Sequence, residues 1–241
     1  MGEAFDGIVD RFVFASREFE RRLRTVRGGQ WVGPTPCTEW NVRQLVNHMV
    51  RGNLNYVLLV NGGGREEFLR MREVDAMGDD PVSAYVASVR ESREAFAAPG
   101  VLDQVVDYPM GQASGRQALA VRTADTVIHT WDLARAIGAE DLLDTDLIAW
   151  IDGHLEEIYA GLSEMPASVD TSHRYFAVPE SANAGAETRQ DRLLRLMGRN
   201  PDRSGDGIAS ARADRQLLSD RHRLQDVTHG AERLREIRQG G

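Results

Sequence analysis

Asp125 and His129 stand four residues apart in the run Ala124-Asp125-Thr126-Val127-Ile128-His129-Thr130-Trp131-Asp132-Leu133-Ala134. On an α-helix that spacing stacks both side chains on one face, about 6 Å apart along the axis. One metal ion can then reach both. Two imidazoles and one carboxylate around an ion, with a fourth position left open, make a catalytic zinc pattern, so a further ligand must come from another helix. His48 is best placed: it lies one turn beyond Gln44, in a segment with Trp40 and Val42. Its neighbours are apolar, and an unpartnered imidazole among them is costly. A plainer reading stands beside this one. An Asp/His pair at i, i+4 is also a helix-surface hydrogen bond or ion pair, and a lone interior histidine commonly donates to a carbonyl. Spacing alone leaves both open.

The remaining reactive side chains divide as follows. Asp132, three after His129, is placed to orient a ligating imidazole or to pair with Arg135. His154, beside Glu156 and Glu157, is a reserve ligand on what reads as a solvated helix face. His173, His222 and His229 fall in connector or tail segments. Cys37, the single cysteine, reads as a buried structural thiol rather than a nucleophile. Trp40 and Trp131 read as packing around the site. The chain has no His-Glu-x-x-His run and no Glu-x-x-His pair. Gly62-Gly63-Gly64-Arg65 lacks the preceding strand and following Lys-Ser/Thr of a phosphate-cradling loop.

Bulk properties narrow the setting. The 241 residues carry a net charge of −8, and all 29 basic residues are arginine, a bias that fits a very GC-rich coding sequence such as an actinobacterial one. An acidic body argues against nucleic-acid binding, although Trp40-Asn41-Val42-Arg43-Gln44-Leu45 superficially resembles the start of a helix-turn-helix. No apolar run approaches the roughly 20 residues of a membrane span. A single cysteine and an N-terminus interrupted by Glu3 and Asp6 point to the cytoplasm.

Helices must position the candidate ligands. Periodicity predicts a first helix over 4–26, ended by Gly28-Gly29, and a second over about 39–60 with Thr38 as N-cap. A polar stretch follows Gly62-Gly63-Gly64, and Asp80-Pro81 starts a third helix to about Ala97. A short hairpin or loop is expected over 101–116, then helices over about 117–137, 144–165 and 187–198, with a Pro/Ala/Gly-rich connector over 166–186. Residues 202–241 carry eight Arg, seven Asp or Glu and no aromatics, so they read as a charged tail, disordered or loosely docked, beside a body of 1–201.

Three segments carry a family resemblance. Thr35-Pro36-Cys37-Thr38-Glu39-Trp40-Asn41-Val42-Arg43-Gln44-Leu45-Val46-Asn47-His48 resembles a Thr-Pro-Cys-x-x-Trp-x-Val-x-x-Leu-x-x-His segment. Ala124 to Gly138 is similar to a Val-His-x-Trp-Asp-Leu-Ala-Arg-Ala-x-Gly helix, and Asp191 to Pro201 to a closing helix. All three patterns belong to the actinobacterial branch of the DinB-like superfamily that includes the N-terminal domain of mycothiol-dependent maleylpyruvate isomerase. The resemblance implies a mainly α, four-helix DinB-like bundle with short extra helices and a small hairpin. It also implies one divalent metal, zinc the first choice, on His48, Asp125 and His129. The isomerase has Glu where this chain has Asp125, so Asp125→Glu is expected to be tolerated. The function it implies is a metal-dependent enzyme using a small thiol of mycothiol type, as an S-transferase or thiol-assisted isomerase. A hydrolase or isomerase without thiol, or a non-catalytic metal- or ligand-binding protein, is the alternative. The expected partners are a small electrophile and a small thiol, without nucleic acid or membrane; a homodimer is allowed.

Overall fold

The computed structural model of the chain describes residues 3–38, 40–72, 74–162 and 187–202. The 166–186 connector, the 202–241 tail beyond Asp202, and His173, His222 and His229 lie outside the described residues. Eight α-helices are present among the described residues: α1 (Ile8–Leu23), α2 (Val42–Val60), α3 (Arg65–Met71), α4 (Pro81–Phe96), α5 (Gly115–Ile137), α6 (Thr145–Gly153), α7 (Leu155–Ile158) and α8 (Arg189–Leu196). None of them is long and apolar enough to cross a membrane.

Four helices make the bundle: α1 packs on α5 and α4, and α2 packs on α4 and α5, which closes the ring. Two apolar clusters fill it. One gathers Phe12, Tyr56, Leu119 and Trp131; the other gathers Phe19, Leu45, Met49, Tyr85 and Leu133. Each fully buried side chain of this size stabilises by about 1.5–3 kcal/mol. Polar groups buried in the bundle satisfy one another. The Asn53 amide donates to Ser88 Oγ at 3.0 Å, and Arg122 Nε donates to Asn53 Oδ1 at 2.8 Å.

Helix α5 is the central element. From Ala118 to Ala134 every residue is buried except Asp125. A helix buried on every side lies in an interior, here with several polar side chains taken in with it, and the one break in this burial is a candidate ligand. The expected hairpin is present: β1 (Val105–Tyr108) pairs antiparallel with β2 (Gly111–Ser114), Val105 opposite Ser114. It leads straight into α5, whose first turn Ser114 caps by accepting from Gln117 N. Gly115 is required there, because a Cβ would stand 2.0 Å from the Val101 carbonyl oxygen.

Several predicted boundaries are corrected. The first helix begins at Ile8 rather than residue 4, behind a 3-10 turn at Glu3–Phe5, and it ends at Leu23 before the Gly28–Val32 3-10 turn. Helix α2 is capped by Asn41, not Thr38: Asn41 is extended, its side chain accepts from Gln44 N, and Gln44 reciprocates. Helix α3 falls in what reads as a polar stretch, because its single buried residue, Phe68, gives no periodicity. The 144–165 helix is two pieces. His154 breaks it at φ −127°, with its Nδ1 2.8 Å from the Trp150 carbonyl oxygen.

Candidate metal centre

The loop before α2 folds back on itself for a local reason. Thr35, fully buried, donates its hydroxyl to the carbonyls of Cys37 (3.0 Å) and Trp40 (2.9 Å), and Trp40 N closes a turn onto Cys37 O at 2.8 Å. These bonds place Trp40 over the imidazoles of His48 and His129, with ring centroids 4.5 and 5.7 Å away. They also place Cys37 behind His129, with Sγ 3.9 Å from Nδ1.

Helix α2 supplies His48 and α5 supplies Asp125 and His129. All three predicted ligands come together, with one donor atom from each within 4.8 Å of the others. His48 Nε2 lies 3.3 Å from Asp125 Oδ2, and His129 Nε2 lies 3.2 Å from Asp125 Oδ1. Those separations are long for charge-assisted hydrogen bonds, which run about 2.7–2.9 Å. They match the roughly 3.3 Å between two donors that each sit about 2.0–2.1 Å from a tetrahedral zinc. The donor types therefore fit a dication, with His48 facing one oxygen of Asp125 and His129 the other.

The other ring nitrogen of His129 meets a different environment. Nδ1 lies 2.8 Å from Asp132 Oδ2, which also accepts from Arg199 Nη2 at 2.7 Å and from the Cys37 thiol at 3.4 Å. Arg199 Nε reaches Asp132 Oδ1 at 3.2 Å, and Nη2 lies 2.9 Å from Cys37 Sγ. Asp132 is thus the carboxylate that orients His129. Its alternative partner, Arg135, pairs with Asp141 instead, at 3.1 Å. Trp131 packs away from the site, under the Arg135 guanidinium at 5.1 Å. His154 is also remote, engaged by its own helix.

Electrostatics sort these groups into roles. Burial pushes His48 down to about 4 against the pull of Asp125, so the ring is uncharged at neutral pH. Burial would raise Asp125, but the charge of His129 and hydrogen bonds from both imidazoles hold its carboxyl well below the usual range. His129 resists burial through the Asp125 charge and its bonds to Asp125 and Asp132, which raise it well above an ordinary histidine. The metal-free site thus carries a proton on His129, between two carboxylates. Burial is likewise overcome at Asp132, which Arg199 and His129 bring down to about 2. Burial pushes the Cys37 thiol up, only partly offset by Arg199.

Two buried arginines, Arg122 and Arg199, were not among the residues predicted for the site. Arg122 had a signal, as the lone cation inside the apolar run Ala118-Leu119-Ala120-Val121-Arg122. Arg199 lies in the Asp191–Pro201 segment that carries the resemblance, but nothing local ties it to the site.

Residues 14–134 match the family described as the mycothiol maleylpyruvate isomerase N-terminal domain, a span that holds His48, Asp125, His129 and Asp132. The chain belongs to this family. Two uncharacterized proteins of Mycobacterium tuberculosis, from strains CDC 1551 and H37Rv, are each 35% identical to it over 137 residues, 55% of this chain and 69% of theirs. No solved structure matches. Within the mycothiol isomerase N-terminal family, this chain has His48 lining two cavities and Asp125 lining one of them. A polar groove of about 270 Å³ runs past His48, Trp40 and Arg72. A smaller aromatic one of about 40 Å³ lies between His48, Asp125, Tyr56, Phe68 and Tyr159. The Tyr159 hydroxyl is kept protonated by burial and by the charge of Asp125.

Proposed function

We propose that the chain is a metal-dependent enzyme that uses a low-molecular-weight thiol of mycothiol type, for S-transfer or thiol-assisted isomerisation of a small electrophile. The observation that carries this reading is the convergence of His48, Asp125 and His129 at donor spacing, beside open cavities, in a chain of the mycothiol isomerase N-terminal family.

His48 Nε2, one oxygen of Asp125 and His129 Nε2 would hold the ion. A bound dication supplies Lewis acidity and lowers the pKa of a thiol or water at its open position. Around it, the chain's own residues have distinct tasks. Asp132 fixes the His129 tautomer, so that Nδ1 bears the proton and Nε2 is free. Trp40 packs its ring against both imidazoles. Tyr159, its hydroxyl kept neutral, lines the aromatic cavity.

A thiol brought from outside is favoured over a protein nucleophile by the position of Cys37. The chain's single thiol faces Nδ1 of His129, on the other side of the ring from Asp125. It is also held protonated by burial, and a protonated thiol is a poor nucleophile. The test is turnover by metal-loaded protein of an electrophile panel, with and without added mycothiol. Turnover only with thiol, kept in Cys37→Ala, supports the reading. Equal turnover without thiol replaces it with metal-dependent hydrolysis or isomerisation, and metal uptake without any turnover replaces it with a binding function.

A further inference from the structure

Arg122 sits one turn before Asp125 on α5, is 1% exposed, and takes no part in the ligand set described above. Its guanidinium is fixed from several directions. Nε donates to Asn53 Oδ1 at 2.8 Å, Nη2 donates to the Met49 carbonyl at 2.6 Å, and Nη1 donates to Asp125 Oδ2. Asn53 is itself anchored on Ser88. The head lies flat on α2 at Gly52, where a Cβ would stand 2.6 Å from Nη1 and 2.7 Å from the central carbon. A glycine at 52 is therefore what lets this cation enter the bundle. The fork cannot shift without breaking bonds to two helices, and a buried charge demands a partner.

Asp125 is that partner, and it has two tasks at once. Oδ2 accepts from Arg122 and also lies 3.3 Å from His48 Nε2, while Oδ1 faces His129 Nε2 at 3.2 Å. The distance between the fixed guanidinium and the imidazoles is spanned by one short carboxylate. A glutamate is about 1.5 Å longer. From the same Cα it cannot keep the bond to Arg122 and still meet the two nitrogens. We propose that Arg122 is the positioning residue of the metal centre, holding Asp125 by Oδ2 so that the carboxylate faces both imidazoles, and that it restricts position 125 to aspartate. This rests on the metal reading given above, and it reverses the expectation that Asp125→Glu is tolerated.

The test uses cobalt(II), read by its ligand-field spectrum and by competition with a chromophoric chelator, on the full chain. Asp125→Glu, at a side chain one-third exposed, should fold normally yet bind cobalt at least about tenfold more weakly. Adding Arg122→Met to it should recover binding to within about threefold of wild type, a coupling expected only of residues in contact. Arg122→Met alone should alter the cobalt spectrum, as the freed carboxylate changes its mode of binding. Circular dichroism and melting of the metal-free forms separate this from unfolding. Wild-type affinity and spectrum in Asp125→Glu with Arg122 in place would overturn the proposal alone, as would a double variant no better than Asp125→Glu. A wild-type chain that takes up no cobalt would overturn the metal reading, and this proposal with it.

Discussion

The two nitrogens of His129 look out on two carboxylates that are alike in chemistry and opposite in setting. Asp125 is one-third exposed and stands 3.2 Å from Nε2; Asp132 is fully buried and stands 2.8 Å from Nδ1. Each is paired with a buried arginine, Arg122 or Arg199. The buried side is a closed hydrogen-bond network around Asp132, with the half-buried thiol of Cys37 against it. The open side has an extra imidazole, His48, longer separations and access to cavities. The same residue types thus do two jobs. One carboxylate fixes the ring, and the other leaves room for an ion.

The contrast is broken most severely from the open side. His48→Ala or His129→Ala leaves two ligands, and zinc affinity should fall by more than about a hundredfold, beyond the ten- to hundredfold usual when an outer partner is lost. Elemental analysis after dialysis checks this, with helical content by circular dichroism expected to persist. Retention of stoichiometric metal by both variants would mean that the open side is only an ion pair.

From the closed side the effect on metal is smaller but the effect on the fold is larger. Asp132→Ala should weaken zinc by about ten- to hundredfold, since His129 loses its orienting partner. It also strands Arg199 as a buried, unpaired cation, which costs about 3–5 kcal/mol. Denaturant unfolding of the metal-free protein measures the second effect. A variant as stable as wild type would contradict the closed network.

Acidity separates the sides further. In the metal-free protein His129 is raised and protonated at neutral pH, while His48, at about 4, is already neutral. Binding must therefore expel one proton, from His129. Affinity should rise about tenfold per pH unit from pH 5 upward, levelling off only above the raised His129 value. Calorimetry in buffers of different ionisation enthalpy counts the proton released. A pH-independent affinity between 5 and 7 would show that His129 is neutral before metal arrives. The smallest effect is reserved for Cys37→Ala, which removes one contact of the closed side. It should cost about 1 kcal/mol of stability and leave zinc bound.

Much of this could be read from the sequence, and the residues show why. His48, Asp125 and His129 are legible because helical spacing stacks two of them and an apolar setting singles out the third. The hairpin and the Asp80 cap are legible because turn and cap chemistry is local. What escaped depends on distant partners. Arg122 is buried only because Gly52, Asn53 and Met49 on another helix make a place for it. Arg199 reaches Asp132 across 67 residues of chain. The Asn41 cap was missed because Thr35 folds the preceding loop back and delays the helix by a turn.

The central claim is that a dication sits on the Nε2 side of His129, although Cys37, His129 and Asp132 also lie close enough to one another to hold an ion. X-ray absorption at the zinc edge of the loaded protein, prepared without added thiol, decides between the two sides. The account predicts nitrogen and oxygen neighbours alone, at about 2.0–2.2 Å. A sulfur neighbour at about 2.3 Å would place the metal on the Cys37 side and contradict it.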